Sequence, residues 1–526
     1  MKMQNYYNSL YNHVEKMRTI YIIPYPRKIR EMDLHLLMIF LLSSFTLVSA
    51  LHFFASSGRL PPGPFPLPII GNLLQLGTKP HKSLAKLANI HGPIMSLKLG
   101  QITTVVISNA TLAKETFQTH DLNLSDRSVP DAIHAQDHHL SIEWLPLGAE
   151  WRNLRKICSS YIFANQKLDL NRELRRNKIQ QLIADVEDSC REGKAVNIGE
   201  VAFRTMINTL SSSTCSLDLT DSSSDRVREF KEVFRSIMDE VGKLNLSDYF
   251  PLLRKIDPQS IRRRTSVYFG KLLGIFDSVI DERIELRKKE GYIRCNDVLE
   301  ILLNLNDEGS SSQMLDRPSL KHLFMVLFIA GTDTTSSTLE WAMSEFLRNP
   351  KTLSKAQLEI EREIGKGRLV DESDIARLPY LQAIVKETLR LHPSVLLLPR
   401  KARTNVEMCG FIIPKDAQIL VNVWAIGRDD SMWKDTNSFF PERFLELDID
   451  VRGRNFELIP FGGGRRICHG LPLATRMLHL VLGSLINNFD WKIEEGCETK
   501  TLNMDDKFGF TLEKANPLRA IPYPRT

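Results

Sequence analysis

Apolar residues recur at spacings of three and four along much of this chain. The stretches "KSLAKLANIHG" and "LRRNKIQQLIADVEDSCREG" and the run from Pro318 to Arg348 carry this period, which predicts amphipathic helices. The last has proline near its start and Asn349-Pro350 as its stop. Runs with strand character are shorter and fewer: "IMSLKLGQITTVVIS", "VEMCGFIIP" and "AQILVNV". Serine-rich breaks at 211–213, 222–224 and 310–312 read as loops. No internal repeat interrupts the layout. The pattern predicts a mainly α body with a minor β-sheet region.

Ahead of that body the pattern changes. From Leu34 to Gly58 there is no Asp, Glu, Lys or Arg, and "LHLLMIFLLSSFTLVSALHFF" is predominantly apolar. About 20 residues at roughly 1.5 Å each cross a hydrocarbon core, so residues 32–58 are expected to form a transmembrane anchor. Arg27, Lys28 and Arg30 flank it on the N-terminal side, which the positive-inside rule would keep cytosolic. Met32 is a natural start, so residues 1–31 are read as an N-terminal extension. The prolines of residues 59–72 predict a semi-rigid hinge, and residues 73–526 form the body that follows it.

Composition narrows the choice. The chain has 526 residues, 43% apolar and 25% charged, which argues against extended disorder. A net charge of +6 is mild for this length and does not suggest a nucleic-acid binder. The run Arg262-Arg263-Arg264 reads as a solvated helix face. Seven cysteines, widely spaced and without a CxxC pair, fit a reducing compartment rather than a disulfide framework. Three N-x-S/T triplets, at Asn109, Asn123 and Asn245, read as chance matches.

Five stretches carry candidate chemistry. "AGTDTTSS", 330–337, puts side chains that compete for backbone bonds inside a helical run, and predicts a loosened polar turn. In "KETLRLHP", Glu387 and Arg390 lie one helical turn apart, where an ion pair can form, and "FFPERF" adds Arg443. "EWRNLRK" places Trp151 and Arg155 four apart, a plausible anion-binding pair. "PFGGGRRICHG" surrounds Cys468 with glycines and arginines. Such a collar lets backbone N–H groups approach a sulfur and lowers its pKa toward the thiolate a metal needs. Arg466 supplies a rigid fork for a carboxylate.

Together these stretches resemble the cytochrome P-450 family of heme-thiolate monooxygenases over residues 59–526. The signature F-x-x-G-x-R-x-C-x-G is met by Phe461, Gly464, Arg466, Cys468 and Gly470. The family's E-x-x-R falls on Glu387 and Arg390, and its P-E-R-F segment supplies Arg443 to the same structural ion-pair network. Its acid-alcohol pair falls on Asp333 and Thr334, and its W-x-x-x-R on Trp151 and Arg155. Two positions depart from the pattern: His469 replaces a proline or small residue, and is read as aimed away from the heme, while Ser394 replaces a frequent proline.

The resemblance implies heme b held by Cys468, dioxygen as co-substrate, and electrons from NADPH through a flavin-containing NADPH-cytochrome reductase. It implies that Asp333 and Thr334 relay protons, and that Arg466, Trp151 and Arg155 hold the porphyrin. It also implies an endoplasmic reticulum membrane location, single-pass, with the catalytic domain on the cytosolic face. Within the family the likeness is to plant microsomal members of the geraniol 8-hydroxylase group. That implies hydroxylation of a small apolar metabolite, foremost a monoterpenol such as geraniol, with a diterpene, alkaloid or phenolic as the alternative. A heme-thiolate isomerase or non-catalytic heme protein is the distant one. Ala330, Val395, Leu396, Leu397, Phe508 and Phe510 would build the apolar substrate pocket. The cluster His134, His138 and His139 reads as ordinary surface histidines.

Overall fold

A 32-residue helix, Arg317–Arg348, organises the body of the protein. At 1.5 Å per residue it is about 48 Å long. The Asp316 carboxylate accepts the Ser319 N–H at 3.0 Å, Pro318 occupies the first turn, and Asn349-Pro350 ends the helix. The computed structural model describes residues 35–40, 43–44, 60–218, 225–307, 315–494 and 502–525. The chain divides into two units, residues 1–60 and residues 61–526. In the first, only 35–40, 43–44 and Leu60 are described, and 35–40 is helical. Among the described residues no helix is long and apolar enough to cross a membrane. The expected extension, and most of the expected span, lie outside them.

The second unit is helical with small sheets. The central helix is buried on nearly every side because other helices cover it: Ile198–Cys215, Ile261–Arg287, Pro379–Leu391 and Leu471–Asn488. Its partner Ile198–Cys215 crosses it antiparallel and very close. A Cβ on Gly331 would sit 2.9 Å from Leu210 Cδ1, and one on Gly199 2.9 Å from Glu340 Oε2. The N-terminal half of the central helix packs Leu323, Phe324 and Phe328 into one apolar core, where Phe328 meets Phe230 and Phe276 at ring distances of 5.5 and 5.3 Å. The C-terminal half gives Leu339, Met343 and Phe346 to a second core shared with Leu471–Asn488.

The largest sheet has four strands in the order Ile94–Leu99, Ile102–Ile107, Gln418–Asn422, Leu397–Lys401. The first pair is an antiparallel hairpin, the middle pair is parallel, and the last is antiparallel with Leu397 opposite Asn422. A three-stranded sheet joins Val196–Asn197, Arg519–Pro524 and Phe489–Ile493. The described cysteines are all free.

Three local expectations are corrected. Residues 330–337 do not loosen the central helix, which is continuous through them. Its hydroxyls bond carbonyls one turn back instead: Thr334 to Ala330 at 2.7 Å, Ser336 to Thr332 at 3.0 Å and Thr338 to Thr334 at 2.9 Å. The serines at 211–213 lie inside a helix for the same reason, Ser211 donating to the Asn208 carbonyl at 3.2 Å. The arginine run is not simply solvated. Arg264 makes a two-pronged bond to Glu240 at 2.9 and 2.8 Å, and Arg262 faces the buried Asp131 at 3.4 Å.

Candidate active site

The central helix, the strand Leu397–Lys401, the 130–145 segment and the C-terminal turn enclose a mainly apolar cavity of about 860 Å³. Ala330, Val395, Leu397, Phe508 and Phe510 line it. Leu396 does not: it is buried with Trp341 and Leu512 in a separate apolar cluster. Its side chain is taken up by that packing, which leaves it 4% exposed. Phe508 and Phe510 sit on the turn between the short strands Asp506–Lys507 and Glu513–Lys514. Asp506 anchors that turn, accepting from Lys79 at 2.5 Å and Lys82 at 2.8 Å and facing His81 at 3.0 Å. The Phe508 ring stacks on His81 at 5.8 Å.

Cys468 also lines the cavity, its side chain open to it. The loop before it is fixed by backbone bonds from Cys468 N–H to Phe461 at 3.0 Å and Ile467 N–H to Gly464 at 3.1 Å. Gly464 has φ +66°, and a Cβ there would stand 2.5 Å from the Phe117 carbonyl oxygen. Phe461 and Gly470 line the cavity. The N–H groups of Gly470 and Leu471 and the charge of Arg155 do favour a thiolate. Burial and the Glu143 carboxylate outweigh them, and the Cys468 thiol is pushed up to about 11. The collar thus prepares the ligand but does not ionise it unaided. His469 lines the cavity too, its Nε2 buried without a partner, and burial pushes its pKa down to about 4.

Around this end of the cavity stand four arginines. Arg155, on the helix Ala149–Ile157, donates to the Ile467 carbonyl at 2.7 Å. Arg466 packs on the Trp151 ring at 5.4 Å and directs its fork to main-chain carbonyls: those of Ser125 and Leu145, and at 3.4 Å those of Ile142 and Glu143. Sequence reasoning missed the other two. Arg127 pairs with Glu143 at 2.8 Å and keeps a buried, unpartnered Nε. Arg400 is buried beside the cavity, with one bond to the Pro399 carbonyl at 3.0 Å and the Phe117 ring 5.0 Å away. Burial, with Arg127 and Arg466 nearby, holds its pKa well below the usual arginine range. The only signal in the sequence was a charged residue in the apolar strand "LLLPRK".

Thr334 also faces the cavity. Asp333 beside it accepts a hydrogen bond from the hydroxyl of Thr511, and burial pushes its carboxyl up to about 6. Nothing in the sequence pointed to Thr511, 178 residues away. Glu387, Arg390 and Arg443 do not line the cavity. Glu387 and Arg390 are fully buried and joined by two bonds of 2.7 and 2.8 Å; Arg390 also donates to the carbonyls of Gly427, Thr436 and Ser438. Arg443 reaches Glu387 at 3.2 Å, and the Phe440 N–H donates to the same carboxylate at 2.8 Å. Every oxygen of this carboxylate therefore has a partner. The rings of His134, His138 and His139 are in contact, but among the described residues no group of three His, Cys, Asp or Glu side chains could hold a metal ion.

The sequence model described as cytochrome P-450 matches residues 61–518. The chain belongs to the cytochrome P-450 family. Its similarity extends to particular members. A geraniol 8-hydroxylase of Swertia mussotii is 53% identical over 94% of this chain and 100% of its own length. One of Catharanthus roseus is 53% identical over 93% and 99%. A drimenol monooxygenase of Persicaria hydropiper is 49% identical over 89% of this chain and 93% of its own length. As a P-450 monooxygenase this protein uses heme b and dioxygen, with NADPH electrons delivered by a reductase. The cavity fits such a group: the Cys468 thiol opens into it, its walls are mainly apolar, Arg127 keeps an unpartnered Nε beside its Glu143 pair, and the buried Arg400 has no ion pair among the described residues.

Proposed function

We propose that this P-450 hydroxylates a monoterpenol such as geraniol at its terminal allylic carbon, the 8-position. The observation that carries the reading is the 53% identity to two proteins named for that activity, over nearly the whole of all three chains. The apolar cavity supports it, with Ala330, Val395, Leu397, Phe508 and Phe510 among its walls. Bound heme supplies the activation of dioxygen and the transfer of one oxygen atom to carbon.

The chain's own residues do the rest. Cys468 would hold the iron, giving up the proton it keeps while burial dominates. Arg127 and Arg400, with Arg155, Arg466 and Trp151, would hold the porphyrin carboxylates. Asp333, raised to about 6, can hold or release a proton near neutral pH, with Thr334 between it and the cavity. The apolar wall excludes water from the reacting carbon. Glu387, Arg390 and Arg443 lock the scaffold behind that wall. The apolar stretch 34–58 supports single-pass anchoring in the endoplasmic reticulum, with the catalytic domain on the cytosolic face beside its reductase.

The test is expression in microsomes with a reductase and a panel of substrates. Conversion of geraniol to its 8-hydroxyl product is expected. Turnover of a diterpene, alkaloid or phenolic with none of any acyclic terpenol overturns the substrate assignment.

A further inference from the structure

We propose that Ser394 is a positioning residue for the Asp333–Thr334 pair, acting through a closed ring of hydrogen bonds that joins three segments distant in sequence. The inference rests on the proton-handling role given to that pair above. Ser394 follows "LHP", is 8% exposed, and borders the cavity. Its hydroxyl lies 2.9 Å from the Thr334 carbonyl oxygen and 2.8 Å from Thr338 Oγ1. Its own carbonyl accepts the Leu512 N–H at 2.9 Å. Leu512 is bonded covalently to Thr511, whose hydroxyl donates to the Asp333 carboxylate. The path from Ser394 to Thr334, Asp333, Thr511, Leu512 and back to Ser394 is therefore closed.

The ring has a particular address on the central helix. Of its two contacts there, one ends on the backbone of Thr334 and the other on the side chain of Asp333. The same C-terminal turn is held by Ser337, whose hydroxyl reaches the Leu512 carbonyl at 2.5 Å, and by the Trp341 indole at 3.2 Å. Removing the Ser394 hydroxyl leaves those two pins in place. It frees the turn that presents Asp333 and Thr334 and leaves Thr338 with its bond back to the Thr334 carbonyl at 2.9 Å, so the helix would persist while the pair's aim relaxes. In a buried, low-dielectric site such a misplacement affects proton delivery more than stability.

The experiment measures product formed per NADPH consumed, and hydrogen peroxide released, in microsomes with reductase. Ser394→Ala is expected to lower the coupling ratio between about twofold and tenfold, the range for one to two hydrogen bonds, with KM changed less than about twofold. Ser394→Thr keeps the hydroxyl and is expected to stay coupled. Thr511→Val breaks the ring elsewhere, and the double variant should be no worse than the worse single one, because each opens the same ring. Hydrogen exchange over residues 330–340 should quicken in Ser394→Ala. If Thr334→Ala uncouples but Ser394→Ala does not, the positioning role is overturned alone. If Thr334→Ala stays coupled, the parent reading fails and this one with it.

Discussion

Arg155 donates to the carbonyl of Ile467 at 2.7 Å, the residue immediately before Cys468. A cation on one helix thereby sets the last peptide before the thiol. Arg155→Met should keep most of the packing and lose the bond, leaving a buried carbonyl unsatisfied at a cost of about 1–3 kcal/mol. Expected is a reduced heme content per polypeptide, read from the reduced carbon monoxide difference spectrum against total protein. Undiminished heme occupancy would count against the role.

The pushed-up thiol of Cys468 gives a pH dependence whose sign is fixed. Iron binding requires the thiolate, and the free thiol titrates at about 11. Below that value each pH unit exposes about ten times more thiolate, so apparent affinity of the stripped protein for hemin should rise about tenfold per unit between pH 6 and pH 8. A competition titration at three pH values checks the slope. Cys468→Ser should abolish both the slope and the thiolate carbon monoxide band.

Asp333 predicts a stability effect of the opposite kind. Its carboxyl is raised to about 6, above the unfolded value near 4, so the folded state holds the proton more tightly. That contribution is present at low pH and is lost as pH rises through about 4 to 6. Asp333→Asn cannot ionise and escapes the loss. Its melting temperature relative to the parent should therefore improve between pH 5 and pH 7, by an amount equivalent to about 1 kcal/mol.

Breaking the buried triad should be far more damaging. Arg390→Ala leaves Glu387, fully buried, facing only Arg443 and one N–H. Removing one partner of a buried ion pair costs about 3–5 kcal/mol, and here Arg443 offsets part of it. Arg390→Lys should fare little better, because an ammonium cannot reproduce a two-pronged bond and three carbonyl contacts. Yield of folded heme protein and its thermal midpoint are the readouts.

Two adjacent leucines should separate stability from selectivity. Leu396→Ala empties part of a small core and is expected to cost about 2–5 kcal/mol with an unchanged product profile. Leu397→Phe narrows the cavity and should shift preference toward smaller substrates with little loss of stability. Thermal melts and product ratios, measured on both variants, decide it.

What the sequence made legible was local or linear. The apolar period marked the central helix with its proline start and stop, and the glycines and arginines around Cys468 marked the thiol loop. Where side chains had a local alternative, composition misled: the hydroxyls at 330–337 bond back along the helix rather than break it. Leu396 was misassigned because a stretch of three leucines does not announce which face each takes. Arg127, Arg400 and Thr511 escaped because their significance arises only when distant segments meet. The ionisation of Cys468 depended on burial and on Glu143, neither of which a flanking motif encodes.

The grip of Arg466 has a longer consequence. It grasps the main chain of Ser125, Ile142, Glu143 and Leu145, and every amino acid supplies a carbonyl. The segment that roofs the cavity can thus change its side chains over generations without losing its mooring. Such an arrangement lets one scaffold diversify its chemical appetite while its reactive centre stays put.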